Sequence, residues 1–361
     1  MARSDTSHAQ SKNTQRSPGS TSSLRYIFLA LTVLIVGLAL AAWFVPSTNS
    51  EPVRITIQSG DTLAAKSRQW QADGWLPSAA LLRLQARLLD KERVLRVGEF
   101  DVPAGVTGAE LLTLLEQAQP VMYRLTLIEG KTLRDALQVL ANAPHLDQDV
   151  QPLTPQGVAE LLEIQGSAEG LLYPDTYVYP SGEKVSRLLR QAHRRLEAEL
   201  QQAWQQRDPD LPLKNPYQAL ILASIVEKET GVAHERPQIA GVFVRRLNKG
   251  MRLQTDPTVI YGLGEGFDGN LRRRHLNDQS NPYNSYRHGG LPPTPIALAG
   301  REALLAAVQP KAGSALYFVA KGDGSHVFSD TLEQHNRAVR QYQILSRRDD
   351  YRSSPAPQEN N

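Results

Sequence analysis

The chain has no cysteine. That removes a disulfide framework, a thiolate nucleophile and any cysteine-ligated zinc site. Such a chain is at home in an oxidising compartment. Phosphate-binding signatures are missing as well, with neither a Walker loop nor a dinucleotide fingerprint. No His-Glu-x-x-His stretch occurs, and the 8 histidines do not gather at ligand spacing, so neither a metal nor a cofactor is expected. Ser224 lacks the Gly-x-Ser-x-Gly elbow of a serine hydrolase. There is no long basic block, and a net charge of +3 is only mildly basic, so nucleic acid is not implied.

What is present is a chain of 361 residues, 41% hydrophobic, enough for two domains or one large one. Met1 to Ser23 is rich in Ser, Thr, Gln and Asn and reads as a disordered tail (1–23). Tyr26 to Val45 carries no charge, roughly the length that spans a bilayer, with Tyr26 and Trp43 near its ends. Residues 24–45 are therefore expected to be a transmembrane helix. Arg3, Lys12, Arg16 and Arg25 precede it, which puts the N-terminus in the cytoplasm and the bulk of the chain outside. Ala39-Leu40-Ala41 fits a signal-peptidase site, but the apolar run exceeds a typical signal core, so an uncleaved anchor is favoured.

A linker and small module are expected over 46–122. Val53 to Gln58 alternates like a strand, and Ser59-Gly60-Asp61-Thr62-Leu63 opens a helix. This phrase looks like the start of a LysM module, a peptidoglycan-binding fold. A helix at Ser78 to Leu89, a strand at Val97 to Val102 and a helix at Thr107 to Gln117 follow. The later half departs from a standard LysM, so a packing or spacer role is favoured over autonomous glycan binding. Leu125-Thr126-Leu127-Ile128-Glu129-Gly130-Lys131-Thr132-Leu133 echoes Ile55 to Leu63, read as a recurrent strand-to-helix turn rather than a repeat array. Strand Tyr123 to Ile128 and helix Thr132 to Ala141 open a larger domain, 123–346.

Within it, Leu220 to Thr230 is an apolar run that ends in two carboxylates. Asn215 is a good N-cap, Pro216 suits the first helical position, and Gln218 is placed to close a capping box. Gly231 is the natural C-cap. The run reads as a short buried helix, with Glu227 in its last turn on the face of Leu220, Ala223 and Ser224. Glu229 points elsewhere. A carboxyl at the negative end of a helix dipole, among apolar side chains, is hard to ionise. An acid that keeps its proton near neutral pH is what a glycosidase needs to protonate a leaving oxygen. The plainer reading is a solvated helix end, and spacing alone favours it.

Other segments carry similar pairs of readings. Pro155 to Gln165 is expected to be a helix. Tyr173 and Tyr177, in Glu169-Gly170-Leu171-Leu172-Tyr173-Pro174-Asp175-Thr176-Tyr177, either line a sugar groove or belong to the core. Lys184 to Arg207 is an amphipathic outer helix. Pro237 to Asn248 is a further helix, with Arg245 and Arg246 complementing the dipole in its last turn. Gln254 and Thr255 can hydrogen-bond sugar hydroxyls, while Asp256-Pro257 fits an N-cap with Pro at the first helical position. Gly262 to Asp278 reads as a surface loop whose Arg272, Arg273 and Arg274 are solvated or meet anionic groups. Asn281 to Tyr286 and Gly289 to Pro293 are rigid loops, so Asn284 and Tyr286 can orient a substrate. Arg301 to Val308 is a helix, and Ala315 to Ala320 with His326 to Ser329 form a hairpin. Thr331 caps a last helix, and 347–361 reads as a disordered tail. The fold class is α+β.

These stretches resemble the endolytic murein transglycosylases, the MltG/YceG-like family. The likeness runs through Val226-Glu227-Lys228-Glu229-Thr230, then Met251-Arg252-Leu253-Gln254-Thr255-Asp256-Pro257-Thr258-Val259-Ile260-Tyr261-Gly262. It resumes at Tyr283-Asn284-Ser285-Tyr286 and Gly290-Leu291-Pro292-Pro293, and closes at Tyr317-Phe318-Val319-Ala320 with His326, Phe328, His335 and Asn336. Thr294 stands where the family usually has Gly. The resemblance implies a catalytic YceG-like domain, anchored in the inner membrane and facing the periplasm. It implies cleavage of the β-1,4 bond between N-acetylmuramic acid and N-acetylglucosamine, leaving 1,6-anhydro ends. Glu227 maps to the catalytic acid. Tyr173, Tyr177, Glu229, Gln254, Thr255, Asp256, Asn284, Tyr286 and His326 are the expected substrate-binding residues. The expected partners are peptidoglycan strands, the membrane and the peptidoglycan synthases (penicillin-binding proteins). Two alternatives stand: a muramidase-type hydrolase with Asp256 or Glu229 as second carboxylate, and a non-catalytic glycan-binding scaffold.

Overall fold

The computed structural model describes residues 20–345. The tails expected at 1–23 and 347–361 lie outside them, except that Ser20 already begins the first helix. The chain divides into two compact units, Met1–Val121 and Met122–Asn361.

The first unit begins with α1 (Ser20–Trp43). Its stretch Arg25–Trp43 is long and apolar enough to cross a membrane, and none of it is buried. Strand β1 (Val53–Ile57) pairs antiparallel with β2 (Gly98–Val102), Ile55 opposite Phe100. Between them lie α2 (Leu63–Ala72) and α3 (Ala79–Leu88), whose first turns are capped by the hydroxyls of Thr62 and Ser78. After β2 comes α4 (Gly108–Gln117), opened by a reciprocal Thr107–Glu110 capping box. Ile57, Trp70, Leu82, Phe100 and Leu112 form the centre of this unit's core.

In the second unit, β3 (Met122–Thr126) leads through a tight turn to α5 (Leu133–Asn142), capped by Thr132 and Asp135. The short β4 (Leu146–Asp147) and α6 (Pro155–Leu161) follow. Helix α6 stops before the expected Gln165 because Glu163 takes a left-handed φ of 57°, which no α-helix continues. Strand β5 (Thr176–Pro180) returns to pair antiparallel with β3, and β6 (Glu183–Lys184) pairs parallel with β4. The long α7 (Val185–Gln205) buries Leu188, Leu189 and Leu196 along one side.

Helix α8 (Pro216–Glu229) is the centre of the unit. Every residue from Ala219 to Val226 is buried. A helix that is apolar all round is stable only when neighbours surround it. Here α9 (Arg236–Asn248), α12 (Arg301–Val308) and α7 do so. Each buried Leu, Ile or Val is worth roughly 1.5–3 kcal/mol relative to exposure. Asn215 caps the helix, its Oδ1 accepting the Gln218 N–H at 3.0 Å. The expected reciprocal bond goes one residue further back, from Lys214 N–H to Gln218 Oε1. Gly231 is not the C-cap. Thr230 ends the helix in extended backbone, as suits a β-branched residue, and its hydroxyl accepts the Val232 N–H.

The other α-helices and strands are α10 (Asp256–Leu263), α11 (Arg273–Asn277), β7 (Tyr317–Ala320), β8 (His326–Ser329) and α13 (Leu332–Val339), which a π-helical turn continues over Arg340–Leu345. Strands β7 and β8 form the hairpin. The stretch read as a surface loop over 262–278 thus contains the short α11.

Candidate active site

Helix α8 delivers two carboxyls in opposite directions. Two residues along a helix rotate a side chain about 200°. Glu227 turns inward, its side chain 5% exposed. Its Oε1 accepts from Arg236 Nη2 at 3.2 Å, and its Oε2 accepts the Gly300 N–H at 3.0 Å. Arg236 is the first residue of α9, and its buried Nε has no protein partner among the described residues. Gly300 is the N-cap of α12, so Glu227 lies at the positive end of that helix. Beside them is the turn between β3 and α5. Gly130 N–H donates to the Leu298 carbonyl at 2.8 Å, and Leu298 N–H to that of Lys131 at 2.8 Å. Lys228 donates its ammonium to the Gly130 carbonyl. Burial of its end pushes the Glu129 carboxyl up, the Glu227 charge adds to this, and Arg236 opposes it.

Glu229 faces a second cluster. It accepts a hydrogen bond from the Thr255 hydroxyl. Burial pushes its carboxyl up to about 7, against that hydrogen bond and with help from the Asp256 charge. Thr255 N–H donates to Ser285 Oγ at 3.0 Å, and Thr258 Oγ1 lies 2.8 Å from the same oxygen. The Tyr286 hydroxyl donates to Asp256 Oδ1 at 2.6 Å. Asp256 is therefore not the N-cap. Thr255 holds that position, without a side-chain bond, and Asp256 takes Tyr286 instead. Gln254 sits at a left-handed φ of 52°, unfavourable for a residue with a Cβ. It is held there by its own N–H on the Ser285 carbonyl and by Arg246 on its Oε1.

Arg246 ties this cluster to the fold. It donates to the carbonyls of Arg252, Leu253 and Leu316 and lies 4.9 Å from the centre of the Tyr317 ring. Arg245 likewise reaches the carbonyls of Lys311 and Ala315. Both lie in the last turn of α9, as read from sequence, and these bonds to distant carbonyls add to their part at the helix end.

Of the residues singled out from sequence, Glu229, Gln254, Thr255, Asp256 and Tyr286 meet in one network. Asn284 supports it from behind. Its amide donates to the carbonyls of His275, Leu276 and Asp278, and its Oδ1 accepts the Tyr286 N–H. His326 is buried against Glu235, Nδ1 to Oε2 at 2.7 Å, and so braces the turn that presents Arg236. Tyr173 and Tyr177 are 7% and 5% exposed, with the Tyr177 hydroxyl on the Tyr173 carbonyl. Their burial does not match a groove-lining role, because their apolar rings complete the core. Sequence reading missed Arg236, Gly300, Arg246, Ser285 and Glu129. Arg246 reads there only as a complement to the helix dipole, Ser285 stands without a role in the Tyr283–Tyr286 motif, and Glu129 lies in a turn set aside as an echo.

Glu229 makes a prediction about stability. An acid whose folded pKa is about 7 stabilises the fold fully below its unfolded value near 4.5. That contribution is lost as pH rises from there through 7, because only the unfolded chain has released its proton in this window. Urea midpoints should therefore fall between pH 4.5 and 7 and level off above. In Glu229→Gln the fall should become shallower, with Glu129 supplying part of what remains. Equal slopes in the two proteins would contradict the buried-acid account.

Comparison with known proteins adds the following. A family model described as the YceG-like family matches residues 55–341. The endolytic murein transglycosylase of Bacillus subtilis (strain 168) is 44% identical over 126 residues, 35% of this chain and 34% of that protein. The endolytic murein transglycosylase of Streptococcus pneumoniae serotype 2 is 27% identical over 282 residues, 69% of this chain and 51% of that protein. The chain thus spans about half or less of the length of these curated relatives. A crystal structure of a YceG-like protein from Listeria monocytogenes aligns with 80% of this chain and 99% of its own, at 26% identity and a TM-score of 0.49.

Proposed function

Because this chain belongs to the YceG-like family, we propose that it cleaves peptidoglycan glycan strands internally as a lytic transglycosylase, with Glu227 as acid and base. The observation that carries this reading is the setting of Glu227. One carboxyl at the end of a buried helix is fixed by an arginine and a backbone N–H. Glu227 protonates the glycosidic oxygen between N-acetylmuramic acid and N-acetylglucosamine as the bond breaks through an oxocarbenium-like state. The carboxylate left behind takes the proton of the muramyl 6-hydroxyl, which closes on the anomeric carbon as a 1,6-anhydro ring. No water attacks, so no second carboxylate is required. The Glu229–Thr255–Asp256–Tyr286 network supplies the donors and acceptors that bind sugar hydroxyls.

The layout of the chain extends this reading. Helix α1 serves as the anchor, with the N-terminus in the cytoplasm and the 123–346 domain on the wall side of the inner membrane. The 46–122 module, LysM-like at its start, acts as a spacer. Peptidoglycan synthases are the expected neighbours.

Mass analysis of products from purified glycan strands tests the reaction. Anhydro ends are expected. The hydrolase alternative requires reducing ends and a second carboxylate nearly as costly to lose as Glu227. Asp256→Asn should instead retain measurable turnover, because its loss removes a partner of Tyr286 and not the proton donor. Reducing ends alone, or an inert Asp256→Asn enzyme that still folds, would replace the transglycosylase reading with the hydrolase.

A further inference from the structure

Arg236 is the cation in hydrogen-bond contact with Glu227. Lys228 also acts on that carboxyl, but its ammonium is bonded to the Gly130 carbonyl. The Arg236 guanidinium is itself loosely tied. Its one side-chain hydrogen bond among the described residues runs from Nη2 to Glu227 Oε1 at 3.2 Å, and its Nε is buried without a protein partner. A single bond at one corner leaves a planar group with five donors free to pivot. The place of Arg236 must therefore come from the backbone that carries it.

That backbone is held by Glu235. It occupies the N-cap of α9, where an acidic side chain would ordinarily accept a helix N–H, yet no such bond forms. Both of its oxygens go to β8 instead. Oε1 accepts the His326 N–H at 2.9 Å, and Oε2 lies 2.7 Å from His326 Nδ1. A carboxylate only accepts, so Nδ1 carries the proton. The Glu235 and His326 side chains are 5% and 4% exposed. The imidazole is fixed in turn. His326 pairs with Ala320 in the hairpin. The Phe318 ring stands edge-on to it at 5.5 Å and edge-on to Phe243 of α9 at 5.7 Å. Strand β8 thus grips the residue immediately before Arg236.

We infer that His326 is a positioning residue for Glu227, acting through Glu235 and Arg236, and does not touch the sugar. The inference rests on Glu227 being the acid. A buried polar pair carries a desolvation cost that an apolar pair of similar size avoids, so stability alone does not account for it. What the polar pair adds is direction, because two hydrogen bonds on one carboxylate leave it a single orientation. Glu235 then sets the first turn of α9, and that turn aims Arg236. Arg236 keeps Oε1 of Glu227 engaged while the Gly300 N–H holds Oε2. Delivery of a proton to the leaving oxygen depends on that aim, since a slightly misplaced catalytic group loses much of its rate.

The test measures kcat and KM on purified glycan strands for the full-length protein and its variants. His326→Leu should lower kcat by about 10-fold or more and leave KM within about twofold. His326→Asn, whose amide puts a donor where Nδ1 stood, should recover most of the loss. The double variant Glu235→Leu/His326→Leu replaces the polar contact with an apolar one. It should melt near the unchanged protein and still show the low kcat. This variant carries the comparison if His326→Leu alone does not fold. In an Arg236→Lys background, adding His326→Leu should cost about twofold or less, because the brace has lost what it aims. A KM that rises with kcat unchanged, an equally large loss in the Arg236→Lys background, or full kcat in the double variant overturns the inference. The reading beneath it fails separately. Turnover in Glu227→Gln removes the acid itself, whereas an inactive Glu227→Gln beside a fully active double variant removes only the brace.

Discussion

Glu227→Gln should lower turnover of glycan strands by at least about 10²–10⁴-fold, the range typical of a lost general acid. The substitution keeps the volume, and its amide oxygen can accept from either Arg236 or Gly300. Its NH2 group must then face the other donor, so one of the two bonds at 3.2 and 3.0 Å is exchanged for an opposed pair. Leaving the buried Arg236 charge without its carboxylate costs roughly 3 kcal/mol, within the roughly 5–15 kcal/mol stability typical of a domain, so the fold survives. Activity and folding therefore separate cleanly. Circular dichroism should show the unchanged fold, with a lowered melting temperature, while anhydro products disappear. Near-normal turnover in Glu227→Gln would refute the mechanism. The scaffold alternative meets the same variant in cells: a Glu227→Gln protein that supports every role of the unchanged one would favour binding over chemistry.

Arg246→Ala should have the other large effect, and on both properties at once. Its guanidinium holds three backbone carbonyls and the Gln254 side chain, lying against the Tyr317 ring. Deleting it leaves those buried acceptors unmet and frees Gln254 from its left-handed backbone. A loss of roughly 3 kcal/mol or more is expected, which for a domain of this size lowers Tm by on the order of 10 °C. Activity should fall with it, because Thr255 and Asp256 follow directly on the strained residue. Arg246→Lys should recover only part, since a point ammonium cannot serve a planar set of acceptors. A melting curve within a degree or two of the unchanged protein would show that other contacts hold Gln254 in place.

The contrast between Arg246 and Glu227 explains what could be read in advance. Local signals were legible. Asn215 and Thr331, read as caps, do cap their helices, and Thr62, Ser78, Thr107 and Thr132, read only at helix starts, cap theirs as well, because a hydroxyl or amide three residues from an N–H reports its own geometry. The buried character of α8 was legible for the same reason, from an apolar run too uniform for a surface helix. What escaped were partners distant in sequence. Nothing near Arg246 says that Leu316 needs its N–H groups, and nothing near Glu227 names Gly300. Asp256 misled for a related reason. Asp-Pro is a sound cap signal, but Tyr286, thirty residues on, offers its hydroxyl to the same carboxylate. Tyr173 and Tyr177 kept two readings in the sequence because an aromatic ring suits a sugar face and a core equally well.

The bonds that join Gly130 and Lys131 to Leu298 also order events in time. They close a loop of well over a hundred residues, and such contacts form only after the entropy of bringing distant chain together has been met by other structure. Helix α8 can build much of its local structure before then. The Glu227 carboxyl near its end cannot find the Gly300 N–H until the loop shuts. On the proposed reading, a chain still folding is therefore catalytically unarmed, and competence to cut glycan comes only with the final shape.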